Sequence, residues 1–219
     1  MISTESAVTE PRDQEALPRP SALRWAVAAS LVAGIAVMTA VVPLLASPVD
    51  ESGAGEILFF VSRLLGGYPA GWVIAVFLAV AMLRLRLAGG IVAAVVAFAG
   101  MVVVFTAVAW LTGDEYLHMA RWLVLALPAG AVVGAAAALR RSPHPLPRGA
   151  AAGVPVAALL AAAAVEARLY PVSAGLLALA AVLWAVIELA RSPRTGWPLR
   201  AAGSAATTVA LGPVFVLGS

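Results

Sequence analysis

Lysine is absent from the 219 residues, and so is cysteine. Without a lysine amine there is no Schiff base to retinal or pyridoxal phosphate and no P-loop of the usual kind. Without a thiol there are no disulfides, iron–sulfur clusters, thiolate zinc sites or cysteine nucleophiles. Charge is scarce as well: only 11% of residues are Asp, Glu, Arg or Lys, against about a quarter in an ordinary soluble domain. The two histidines, His118 and His144, fall on opposite sides of the membrane in the topology drawn below, which excludes a bis-histidine haem. No Gly-x-Ser-x-Gly elbow, His-Glu-x-x-His pair or Asp-rich diphosphate motif occurs. No cofactor and no metal are expected.

What the chain has is apolar sequence: 63% of residues are hydrophobic, and they come in runs near the length that crosses the roughly 30 Å apolar layer of a bilayer. The expected fold is all-α, a polytopic transmembrane bundle of seven helices. Residues 1–21 are polar, mixed in charge and broken by proline, which predicts a disordered cytoplasmic tail, not a cleaved signal peptide. The seven-helix domain follows over 22–217, with spans at about 22–46, 69–83, 88–111, 117–139, 150–167, 172–190 and 199–217. Residues 56–65 are too short to cross and carry Arg63 among apolar neighbours, which predicts an interfacial or re-entrant helix between spans one and two.

Arginine placement sets the orientation. Arg12, Arg19, Arg24, Arg84, Arg86, Arg140, Arg141, Arg148, Arg191, Arg194 and Arg200 fall in alternate connections with the tail, and only Arg63, Arg121 and Arg168 fall on the other side. An excess of arginine marks the cytoplasmic face, so the N-terminus is expected inside and the C-terminus outside, in a plasma membrane. The net charge of +3 is therefore a topology signal, and nucleic acid is not an expected partner. Trp72, Trp110, Trp122 and Tyr170 gather at the predicted outer interface, where amphipathic rings serve as anchors.

No span has an ionisable residue near its centre. Such residues mark proton and ion pathways, so a coupled pump or a charged-filter channel is disfavoured. The polar candidates sit at the outer ends. Glu166, in VEARLYP, shares a helical face with Leu159, Ala162 and Ala163 and is expected to point into the bundle. Arg63, Arg121 and Arg168 lie at its level. Two readings stay open: an ion pair that fixes packing, or a site for a polar head group or an acid in an apolar pocket. In the second, Glu166 or Glu56 is the acid, and Trp72, Trp110, Trp122 and Tyr170 line a pocket suited to a cation. Asp114, Glu115 and His118 have spacings that one helical turn can gather into a divalent-cation site, but a solvated loop with an acidic helix start explains them more simply. Glu188 and Arg191 read as an ion pair at a helix end, and Gly130-x-x-x-Gly134 as a close helix contact.

Three stretches are similar to a family of small uncharacterised integral membrane proteins of GC-rich bacteria: LALPAGAVVGAAAALRR, VEARLYP and the aromatic, Gly-rich outer ends. The similarity runs over about residues 25–215, carries Glu166 with Tyr170 beside it, and implies an architecture without an activity. Size and span count also resemble the small integral-membrane terpene cyclases, which protonate an isoprenoid with embedded carboxylates; this chain departs from them in having no acid in its second or seventh span. Whether the chain is an enzyme stays open. The expectations are a non-enzymatic binding, accessory or permease-like protein handling an apolar small molecule or lipid, with the bilayer and another membrane protein as partners, or an intramembrane cyclase using an outer-facing acid.

Overall fold

The computed structural model describes residues 20–45, 69–111, 119–168, 170–191 and 196–218, and among them all regular structure is helical. Seven helices follow one another: α1 (Ala22–Leu45), α2 (Pro69–Leu83), α3 (Leu87–Leu111), α4 (Met119–Leu139), α5 (Pro145–Glu166), α6 (Pro171–Ala190) and α7 (Trp197–Gly218). Within five of them lie stretches long and apolar enough to cross a membrane: Ala22–Thr39, Leu87–Val108, Trp122–Leu139, Pro145–Glu166 and Pro171–Glu188. The proposed interfacial helix at 56–65, the residues 1–19 of the tail, and Asp114, Glu115 and His118 lie outside the described residues.

One expected boundary moves by more than two residues. The fifth helix starts at Pro145, five residues before the expected start at 150. The run Ser-Pro-His-Pro-Leu-Pro reads as loop because proline breaks helices. In the first turn, however, the missing N–H has no intrahelical partner to lose and the fixed φ suits the helix. Pro171 opens α6 in the same way.

The helices alternate in direction, and contacts at both ends show it. Trp72, near the start of α2, donates its indole N–H to Thr39 Oγ1, near the end of α1, at 3.1 Å. At the other end Arg140 after α4 pairs with Glu188 of α6. Arg141 donates to the carbonyl of Ala81 near the end of α2. The starts of α1, α3, α5 and α7 therefore share one end of the bundle with the ends of α2, α4 and α6. That end is rich in arginine: Arg24, Arg84, Arg86, Arg140, Arg141, Arg148, Arg191 and Arg200.

Two helices form the interior. α2, at 15 residues and so about 22 Å, is buried along most of its length, with Val73, Val76, Phe77 and Val80 in the core. α5 is Ala-rich and buried from Gly149 to Ala163 apart from single positions. Alanine and glycine let neighbouring backbones approach closely, which is how helices gain contact area in lipid without a hydrophobic driving force. Phe98 and Met101 of α3, Val133 of α4 and Leu177 of α6 complete one continuous core.

The outside is apolar too. Val92, Val96 and Val103 on α3, Val124 and Leu127 on α4, and Val172, Leu179, Val182, Leu183 and Val186 on α6 all face outward. A water-soluble bundle would set polar residues there. Apolar side chains on both the inner and outer faces of span-length helices make this a membrane-embedded protein.

Candidate functional site

Among the described residues there are two carboxylates, Glu166 and Glu188, and they lie at opposite ends. Glu188 is held by cations. Arg140 reaches both of its oxygens, Nε to Oε2 at 3.4 Å and Nη2 to Oε1, and Arg191 Nη1 lies 3.8 Å from Oε1. The pairing expected within the helix thus exists as the longer contact. The closer partner comes from another helix, and no spacing within one segment reveals it. The Arg140 guanidinium also sits over the Phe77 ring, 5.9 Å from its centroid. Phe77 in turn meets Trp184 edge-on at 6.1 Å. Ion pair and rings together tie α2, α4 and α6 at the Arg-rich end.

Beside this pair, Arg141 supplies a donor to Ala81, one of the last carbonyls of α2 that lack an intrahelical partner. Arg84 directly after α2 takes φ +55°, the left-handed conformation in which helices commonly stop. Burial, then the charges of Arg84, Arg140 and Arg24, hold the Arg141 guanidinium below its usual pKa. Arg24, Arg84, Arg140 and Arg141 thus crowd together, with Glu188 as their described counter-charge.

Glu166, the last residue of α5, is 2% exposed. It shares its face with buried Leu159, Ala162 and Ala163, and its carbonyl accepts the N–H of Tyr170 at 2.8 Å. This bond folds the chain back into α6. Arg168 and Tyr170 are both exposed in that turn. Arg121 falls in the first turn of α4 at the same end, and Glu56 and Arg63 lie outside the described residues.

The aromatic candidates share an end but play different parts. Trp72 is a strut: its N–H engages Thr39, which is 1% exposed and also donates to Ile35 O at 2.7 Å. Its ring meets Phe105 edge-on at 6.0 Å. Trp110 is 78% exposed on the outside of α3. Trp122 is half-buried in the first turn of α4. No group of three His, Asp or Glu residues able to hold a metal occurs among the described residues.

Residues 65–218 match a family of unknown function, DUF6518. The chain belongs to that family. No curated protein matches it, and no solved structure does. The DUF6518 region takes in α2 through α7, hence both described carboxylates, the Arg141 cluster and the buried Arg200 of α7. Arg200 is 7% exposed and did not stand out from sequence, where it counts as one more topology arginine. Its signal was available: Gly196-Trp-Pro-Leu-Arg200 is a helix start, and Gly149-x-x-x-Gly153 on α5 repeats the small-residue spacing of Gly130 and Gly134.

Proposed function

We propose that this DUF6518 protein is a non-enzymatic membrane component. In this reading it binds an apolar small molecule or a lipid at the end opposite the Arg-rich one, with Glu166 as the polar contact. The supporting observation is the burial of Glu166 on the Ala-rich face of the central helix α5. A carboxyl at such a place either fixes packing or meets a polar group brought in by a ligand, since burying it without compensation is costly. The polar inventory favours binding over catalysis. Thr39, Glu166 and Arg200 are the buried polar residues described, and no acid–base pair is assembled from them. The cyclase reading draws no support from Trp110, which faces outward.

The orientation that goes with this reading puts the Arg-rich end in the cytoplasm. Because the chain has no cysteine, Ser142→Cys gives a single reporter. It should react with an impermeant maleimide in inverted vesicles and stay unlabelled in intact cells, and the reverse pattern refutes the topology. For the site, full-length protein in detergent is warmed with polyprenols and with phospholipids. A ligand should raise Tm for the wild type, and Glu166→Gln should fold with a similar basal Tm but respond at least tenfold more weakly. An undiminished response in Glu166→Gln removes that residue from the site.

A further inference from the structure

The starts of α5 and α7 lie side by side and point the same way. Gly196, at φ +85°, sits against Pro145, where an added Cβ would come within 2.9 Å of the proline Cβ. Gly149 meets the backbone of Arg200, with 2.6 Å from a notional Cβ to Arg200 Cα, and Gly203 meets the backbone of Leu146 and Ala150. Two parallel helices of 22 residues each thus bring their positive ends together. Neither first turn contains an acidic residue, and the His144 side chain makes no capping bond at the start of α5.

Arg200 lies within this double helix start. Its Cα is on the α5-facing side of α7, and helical side chains lean back toward the N-terminus of their helix. That lean would carry the guanidinium from the Gly149 contact toward the turn at Gly196 and Pro145. It is nine-tenths buried, and its Nε and Nη1 find no acceptor among the described residues. Neither described carboxylate is available to it. Glu188 is engaged by Arg140 and Arg191, and Glu166 lies 17 residues along α5 from Gly149, about 25 Å away.

We propose that Arg200 is the centre of an oxyanion site between the starts of α5 and α7, which takes a phosphate group from either a phospholipid head group or a soluble phosphate. A planar guanidinium with two buried, unsatisfied nitrogens suits the paired oxygens of a phosphate, and two adjacent helix starts add a field of the right sign. The site is independent of the Glu166 reading, since it occupies the other end of the molecule.

The test uses full-length protein in a neutral detergent. Tm is followed while phosphatidylglycerol, phosphatidylcholine or inorganic phosphate is added at constant ionic strength. The wild type should show a saturable rise with phosphatidylglycerol exceeding that with phosphatidylcholine, or with inorganic phosphate. The first response identifies a head group and the second a soluble ligand. Arg200→Gln should weaken the apparent affinity at least tenfold, while Arg86→Gln, an exposed arginine at the same end, should change it less than twofold. If Arg200→Gln does not fold, Arg200→Lys takes its place, because it keeps the charge but loses the planar fork. The proposal is overturned by a wild type that responds to neither probe, by equal losses in the Arg200 and Arg86 variants, or by Arg200→Lys binding as tightly as wild type.

Discussion

Two helix pairs in this bundle are built on glycine, and they differ in direction. α3 and α4 run antiparallel and meet through Gly90, Gly130 and Gly134. A Cβ on Gly134 would fall 2.6 Å from Ile91 Cα, and one on Gly130 would fall 2.6 Å from Val95 Cα. α5 and α7 run parallel and meet through Gly149, Gly153 and Gly203. In the first pair the helix dipoles oppose, and the close approaches are between glycines and the backbone of Gly90, Ile91 and Val95. In the second the dipoles add, and the polar residues gather there: Thr208 donates its hydroxyl to Ser204 O at 2.9 Å and lies 3.4 Å from Gly153 O, and Arg200 is buried at the shared start. Close packing is the common means, and parallel direction is what creates a place for an anion.

Substitutions test whether the two pairs really differ. The largest effects belong to the glycines. Gly134→Ala and Gly149→Ala each push a methyl into a neighbouring backbone, which cannot yield as a side-chain tip would. Each should cost about 3 kcal/mol in unfolding of the detergent-solubilised protein by added SDS. Gly100→Ala is the control, because nothing lies within 4 Å of its added Cβ; it should be neutral or raise stability by about 0.5 kcal/mol. Similar losses at all three positions would show that helical glycine as such, and not close approach, sets the cost. A smaller effect separates the two pairs. Thr208→Val keeps the shape and removes the hydroxyl, and should cost about 1 kcal/mol in the same assay. No change would mean that the α5–α7 contact is as purely steric as the α3–α4 contact.

Much of this was legible in the sequence, for a physical reason. Lipid demands long apolar helices with every backbone group satisfied internally, so span positions follow from hydropathy. The arginines that end alternate spans are local too, and so is the face shared by Glu166, Ala162 and Ala163. What escaped depends on neighbours far along the chain. Glu188 pairs with Arg140, 48 residues away, and Trp72 bonds to Thr39, 33 residues away. The start of α5 was obscured because proline has opposite meanings inside a helix and at its first turn. Arg200 was obscured because a charge near a span end reads as a topology signal until burial distinguishes it from its exposed counterparts.

The short central helix has a consequence for how the protein senses its surroundings. α2 is surrounded by other helices and has little contact with the bilayer, so the thickness of the membrane does not act on it directly. Any mismatch falls on α3, α4 and α6, whose apolar flanks face the lipid, and these respond by tilting. The Arg140–Glu188 pair and the Arg141 bond to Ala81 O couple α4 and α6 to one another and α4 to the lower end of α2. Beside the apolar core and the Trp72 strut at the opposite end, the polar route by which a change in membrane thickness reaches the middle of the bundle is therefore its cationic end.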